Sequence, residues 1–192
     1  MSAAIPPVDG HRFALQPFDP AAAAPDLRLE GRLARLGDQL RITYQLTGNL
    51  ASLVRPPQAA AGPLRCDGLW EHTCFELFLA AVGAEPYWEV NLAPNGHWNL
   101  YRLDGYRQGL RPEADREALP VAVTEGTGQL RLDLDLLLPR ELAETCRQGP
   151  LQLGVTAVIE QRGGTLSYWA LGHGGPEADF HRRADFLLRV EP

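Results

Sequence analysis

Carboxylates and an amide recur at two-residue spacing in the middle of the chain, a pattern suited to acid–base chemistry or to holding hydroxyl groups. In Thr73-Cys74-Phe75-Glu76-Leu77-Phe78-Leu79, a strand would put Phe75, Leu77 and Leu79 on one side and Cys74, Glu76 and Phe78 on the other. In Tyr87-Trp88-Glu89-Val90-Asn91-Leu92, the apolar set is Trp88, Val90 and Leu92, so Tyr87, Glu89 and Asn91 point the opposite way. If Ala80 to Tyr87 closes a hairpin, Glu76 lies across from Asn91 and Phe78 across from Glu89. Paired glutamates of this kind could act as acid and base on a glycosidic bond, with His173 or His181 assisting, provided that their pKa values are split. The same groups interleaved with Tyr87 and Phe78 equally suit a non-catalytic pocket for a sugar. The plainer alternative is a solvated outer sheet face.

The turn Ala93-Pro94-Asn95-Gly96-His97 leaves the next strand's register open. A type I turn with a G1 bulge would place Asn99 and Tyr101 beside Glu89, whereas a two-residue turn would place Trp98 there instead. A second polar cluster follows at Tyr168-Trp169-Ala170-Leu171-Gly172-His173-Gly174-Gly175-Pro176 and Asp179-Phe180-His181. Its glycines and proline mark a loop, and His173, Asp179 and His181 could form a metal or acid–base group or simply tie down the final strand.

The composition excludes several chemistries. All 18 basic residues are arginine, so Schiff-base chemistry, a Walker-type lysine and lysine general bases are ruled out. No nucleophile elbow or glycine-rich phosphate loop is present. The three cysteines, Cys66, Cys74 and Cys146, have no zinc-site spacing; reduced thiols are expected, with a Cys66–Cys74 pair as the alternative. A net charge of −6 argues against nucleic acid as partner. Met1 to Pro7 lacks the basic and apolar regions of a leader, and no apolar run spans a bilayer, so a soluble, cytoplasmic protein without membrane contact is expected.

The elements that must position these residues read as β almost throughout. Leu27, Leu29, Gly31 and Leu33 alternate with polar residues, as do Leu40, Ile42, Tyr44 and Leu46, with Gly37-Asp38 as the hairpin turn between them. The same period returns at Thr73 to Ala80, Tyr87 to Leu92, Trp98 to Leu103, Val121 to Glu125, Leu130 to Leu136, Leu151 to Glu160, Leu166 to Leu171 and Phe186 to Val190. Many short alternating strands predict an all-β antiparallel sandwich, taken as a single domain over residues 1–192. Short helices are expected at Pro112 to Leu119 and Pro139 to Cys146, and irregular loops at Ala21 to Pro25 and Ala51 to Pro63.

The stretches Trp70-Glu71-His72-Thr73-Cys74-Phe75-Glu76-Leu77-Phe78 and Glu89 to Tyr101, extended by Tyr106 to Leu110 and Tyr168 to His181, resemble bacterial DOMON-like proteins grouped with carbohydrate-binding module family 9. The resemblance implies a β-sandwich that grips sugar units between aromatic planes, with Trp70 and Trp169 as the stacking pair, Glu89 and Asn91 meeting hydroxyls, and calcium as a possible neighbour. It implies a ligand-binding module for a carbohydrate or sugar derivative rather than an enzyme. Other DOMON-type domains bind haem, but Met1 is the only methionine, leaving only pairs among His72, His97, His173 and His181 as axial ligands. The expected site is therefore the face carrying Glu76, Glu89 and Asn91 with Trp98 or Tyr101 beside it, beneath loops bearing Trp70, Trp169, His173, Asp179 and His181.

Overall fold

The protein is described by a computed structural model covering residues 10–57, 62–147 and 149–192. Its strands are β1 (His11–Pro17), β2 (Arg28–Leu36), β3 (Gln39–Thr47), β4 (Cys74–Ala81), β5 (Tyr87–Leu92) and β6 (Trp98–Leu103). They continue with β7 (Arg111–Pro112), β8 (Val121–Gly126), β9 (Gln129–Leu137), β10 (Leu151–Glu160), β11 (Leu166–Ala170) and β12 (Leu188–Val190), and helix α1 spans Arg140–Thr145. The first layer runs β8-β9-β3-β2-β1 and the second β7-β6-β5-β4-β10-β11, with β12 on β10 beyond the end of β11. All pairings between these strands are antiparallel. β1 belongs to both layers, because His11 to Leu15 pair with β2 while Gln16 and Pro17 pair with β11. The all-β sandwich expected from the alternation is the fold observed.

One face of each layer supplies the core. Ile42, Tyr44 and Leu46 from the first layer meet Phe75, Leu77, Val90 and Val155 from the second, all buried. Each large apolar side chain removed from water contributes about 1.5–3 kcal/mol, which makes the inward face of every strand costly to misplace. Gly31 lies between Phe13 and Tyr44 in the ladder, and a Cβ there would stand 2.5 Å from the Phe13 ring. The missing side chain lets the two rings meet edge-on at 5.7 Å. The Tyr44 hydroxyl then crosses the core to donate to the Glu76 carbonyl at 2.7 Å, binding one layer to the other.

One sequence-based expectation needs correction, two strands are additional to those expected, and one open register is settled. Pro112 to Leu119 is not helical: after β7 it wraps the sheet edge, because the Arg65 guanidinium takes the Glu113 carbonyl, which a helix would have used internally, together with that of Arg116. The Glu113 amide also donates to the Leu100 carbonyl and its carboxylate accepts from the Trp88 indole. Strands β1 and β7 are additional to those expected: Ala14 between Phe13 and Leu15 hides the alternation of β1 in the sequence, and β7 is only two residues long. The turn after β5 resolves as the bulged form, with Gly96 at φ 85°, Ala93 and His97 bonded, and Asn91 opposite Asn99. Trp98 consequently faces the core, 2% exposed, with the Arg65 guanidinium 5.3 Å from its ring centre.

By contrast, α1 follows Pro139, and Gly37-Asp38 joins β2 to β3 with Leu36 opposite Gln39. The three cysteines are unpaired. The expected 51–63 loop lies partly outside the described residues, as does the Met1 to Pro7 segment. No helix among the described residues is long and apolar enough to cross a membrane.

The outward faces of the layers differ. That of the first layer is open, with Arg41 paired to Asp135 at 2.5 Å and Arg131 to Asp133 at 2.7 Å. That of the second is covered over Phe78, Ala80 and Tyr87 by Phe186 and Phe180 from the segment between β11 and β12. Phe186 sits so close to the β10 backbone that a Cβ on Gly154 would come within 2.9 Å of its ring. Every residue of β4 and β5 is therefore buried on both sides.

Candidate functional site

Where the cover ends, the outward face of the second layer becomes the floor of a cavity of about 410 Å³. Glu76 from β4 and Glu89 from β5 form its polar floor, with Val158 and Leu103 beside them. Trp70, on a 3-10 turn at Leu69–Glu71, and Tyr168, on β11, border it, and each exposes over a third of its surface. Phe180 and His181 close one wall, and Arg107 and Leu110 come from the loop between β6 and β7. The volume lies in the range of roughly 300–1,000 Å³ usual for small-molecule sites. A second hollow of about 550 Å³, bordered by His72, Asn95 and His97, shares Trp70 as its partition.

The glutamates are diagonal neighbours, since Glu76 pairs with Asn91 and Glu89 with Phe78. They are 2% and 4% exposed, which makes their charge state the dominant electrostatic feature of the floor. Glu76 accepts from the Thr156 hydroxyl at 3.2 Å, and Glu89 from the Asn91 amide at 2.9 Å. Burial, with the charge of Glu89, pushes Glu76 well above the usual carboxylate range. Burial likewise pushes Glu89 up to about 7, with the Asn91 amide and the Arg107 charge holding it down. Asn91 is fully buried and acts by fixing Glu89; its oxygen faces the Cys74 thiol at 3.7 Å. Burial and the Glu76 charge raise the pKa of that thiol.

The walls are braced from behind. Trp70 meets the Tyr101 ring edge-on at 5.7 Å, and the Tyr101 hydroxyl donates to Asp67 at 2.7 Å while accepting from Asn99 at 2.8 Å. His181 Nδ1 lies 2.7 Å from the Tyr87 hydroxyl, and its Nε2 is 4.0 Å from Glu89. Burial and the Arg107 charge lower its pKa to about 4, so it is neutral near pH 7. Asp179 stands behind the wall, accepting from Tyr106, from Arg107 at 2.9 Å and from the His181 amide. Arg107 has φ 54°, a left-handed conformation costly for a residue with a Cβ, and its amide donates to the Tyr87 hydroxyl. Tyr87 thus holds the backbone of Arg107 and Asp179 its guanidinium, and the residue borders the cavity.

Of the residues singled out in the sequence, Trp70, Glu76, Glu89 and His181 line the cavity, while Asn91, Tyr101 and Asp179 brace residues that do. Two tryptophans are elsewhere. Trp98 is in the core, and so is Trp169, whose indole donates to Ser167 at 3.0 Å. Adjacent strand residues face opposite ways, so with Trp169 inward its neighbour Tyr168 takes the cavity side, opposite Val158 in the ladder. His173 instead contacts the Gln16 carbonyl at 2.9 Å and the Phe18 ring. Sequence reasoning missed Tyr168, Phe180, Arg107 and Leu110. The Tyr168-Trp169 pair was the available signal, because only one of two neighbouring aromatics can face a pocket. Among the described residues no group of three or more His, Cys, Asp or Glu is placed to hold a metal ion.

No family model matches the chain, and no curated protein matches it. Solved structures do share its fold. A protein from Bacteroides uniformis assigned as carbohydrate-binding superposes with a TM-score of 0.62 at 14% identity, over 89% of this chain and 83% of that one. A family 9 carbohydrate-binding module from Caldicellulosiruptor kristjanssonii in complex with cellotriose gives 0.58 at 10% identity, covering 95% and 82%. A family 9 module from the same organism in complex with glucose gives 0.53 at 9%, covering 95% and 84%.

Proposed function

We propose that the chain is a non-catalytic module that binds a carbohydrate or sugar derivative in the cavity over Glu76 and Glu89. The carrying observation is the pairing of exposed aromatic surfaces, Trp70 and Tyr168, with a buried polar floor in one cavity. A sugar ring presents apolar C–H faces that suit an aromatic plane and hydroxyls that need fixed polar partners. The fold shared with modules bound to cellotriose and glucose supports the same reading. A glycosidase would need one carboxyl held as an acid and the other ionised. Here burial raises both, and among the described residues no arginine is bonded to either to keep it ionised. Titration calorimetry against a panel of mono- and oligosaccharides tests the proposal. Saturable binding that is lost in Trp70→Ala and Tyr168→Ala is expected; binding by no sugar, or binding untouched by both substitutions, would remove it. Turnover of an aryl glycoside by the wild type, abolished by Glu89→Gln, would replace it with the enzyme reading.

A further inference from the structure

The floor of the cavity holds two acidic side chains, each more than nine-tenths buried, and among the described residues no arginine is bonded to either. Glu76 accepts from Thr156 alone among the described residues, so its second carboxyl oxygen is left for whatever enters the cavity it lines. Glu89 is held by a neutral amide. The titratable and charged groups around the pair are Tyr44 on β3, Cys74 on β4, Tyr87 on β5, Tyr101 on β6, Arg107 in the following loop, and Asp179 and His181 in the segment before β12. Arg107 is the cation among them, and it reaches the cavity already bridged to Asp179 at 2.9 Å. His181 is engaged with Tyr87 and neutral. Above this floor stand Trp70, Tyr168 and Phe180, whose ring faces carry the negative quadrupole that attracts ammonium groups. A divalent metal fits less well, because calcium takes roughly six to eight oxygen ligands and no third acidic, His or Cys ligand joins the pair among the described residues.

We infer that the ligand carries a protonated amine, so that the site prefers an amino sugar to a neutral sugar, with the ammonium seated against the Glu76 and Glu89 carboxyls beneath the aromatic walls. This rests on the carbohydrate reading above. An ammonium there supplies donors to the unpartnered carboxyl oxygen and the charge that the floor lacks, while the rest of the ring keeps the aromatic contacts.

The test is titration calorimetry at pH 7 with matched sets: glucosamine, glucose and N-acetylglucosamine, and the corresponding galactose and mannose series. The acetylated member removes the charge and adds bulk; the parent sugar removes the charge without bulk. At least one free amino sugar is expected to bind about tenfold or more tighter than both its partners, the scale of a hydrogen bond to a charged group. In Glu76→Gln and in Glu89→Gln, each checked for folding by circular dichroism, that preference is expected to shrink to about twofold. Neutral sugars binding as tightly as their amines would overturn the inference and leave the carbohydrate reading standing. So would a preference that survives both substitutions. Absence of binding by every member would overturn both.

Discussion

The outward faces of the two layers carry the same alternation and meet opposite fates. On the first layer, Asp133 is bonded to Arg131 and Thr43 at a partly exposed surface, and those partners hold its pKa below the usual carboxylate value against the effect of burial. On the second layer, Glu76 and Glu89 occupy equivalent outward positions, but Phe180, His181 and Phe186 close over the sheet and burial raises both. Polar residues on an outward face thus make either a solvated ladder of ionised groups or a pocket floor of desolvated carboxyls. The decision belongs to whatever chain lies across them.

The contrast can be tested from its largest consequence downward. Trp169→Ala is expected to cost about 3–5 kcal/mol of folding stability, since it leaves a hole in the core rather than in the cavity; chemical denaturation measures it, and a loss below about 1 kcal/mol would place Trp169 outside the core.

Next comes the pH profile. A carboxyl raised in the folded state contributes stability that is complete below its unfolded value near 4.5 and is lost as pH rises through about 7 for Glu89. On the order of 3 kcal/mol of stability should therefore disappear between roughly pH 4.5 and pH 7, and Glu89→Gln should flatten that slope. The first layer has the reverse sign: Asp133 is lowered, so its contribution is present above the ordinary aspartate range and fades as pH falls below it. Melting curves across pH 4 to 8 for wild type, Glu89→Gln and Asp133→Asn would separate the two faces, and a Glu89→Gln slope identical to wild type would undo the distinction.

Trp70→Ala should weaken a bound sugar by about 1–3 kcal/mol while changing folding stability by under about 1 kcal/mol, because the ring borders a cavity instead of filling the core. Calorimetry and thermal melting on one preparation read both. Least of all, Asp133→Asn should alter stability by about 0.5 kcal/mol or less at neutral pH, its partners being solvent-screened.

Much of the architecture is written in local spacing. Alternation located ten of the strands, Gly37-Asp38 announced its hairpin, and Pro139 marked the start of α1. The opposition of Glu76 with Asn91 followed from counting alone. Where local signals were ambiguous, long-range partners chose. Proline and acidic residues at Pro112 to Glu117 favour a helix in isolation, but Arg65, some fifty residues earlier in the chain, claims the carbonyls. The turn chemistry at Asn95-Gly96 allowed two registers, and only the buried outcome shows that Trp98 goes inward while Asn99 and Tyr101 face Glu89.

What the sequence by itself determined is which residues share a face, because a strand's two-residue period is a property of the backbone and needs no partner. Which face became a site was decided by the tertiary structure. Trp169 rather than Tyr168 filling the core, Phe186 seating on Gly154, and Asp179 holding the Arg107 guanidinium all join segments far apart in the chain. The segment laid across the sheet removes water from Glu76 and Glu89, and desolvation, which no residue spacing encodes, turns two ordinary outward glutamates into the floor of a cavity.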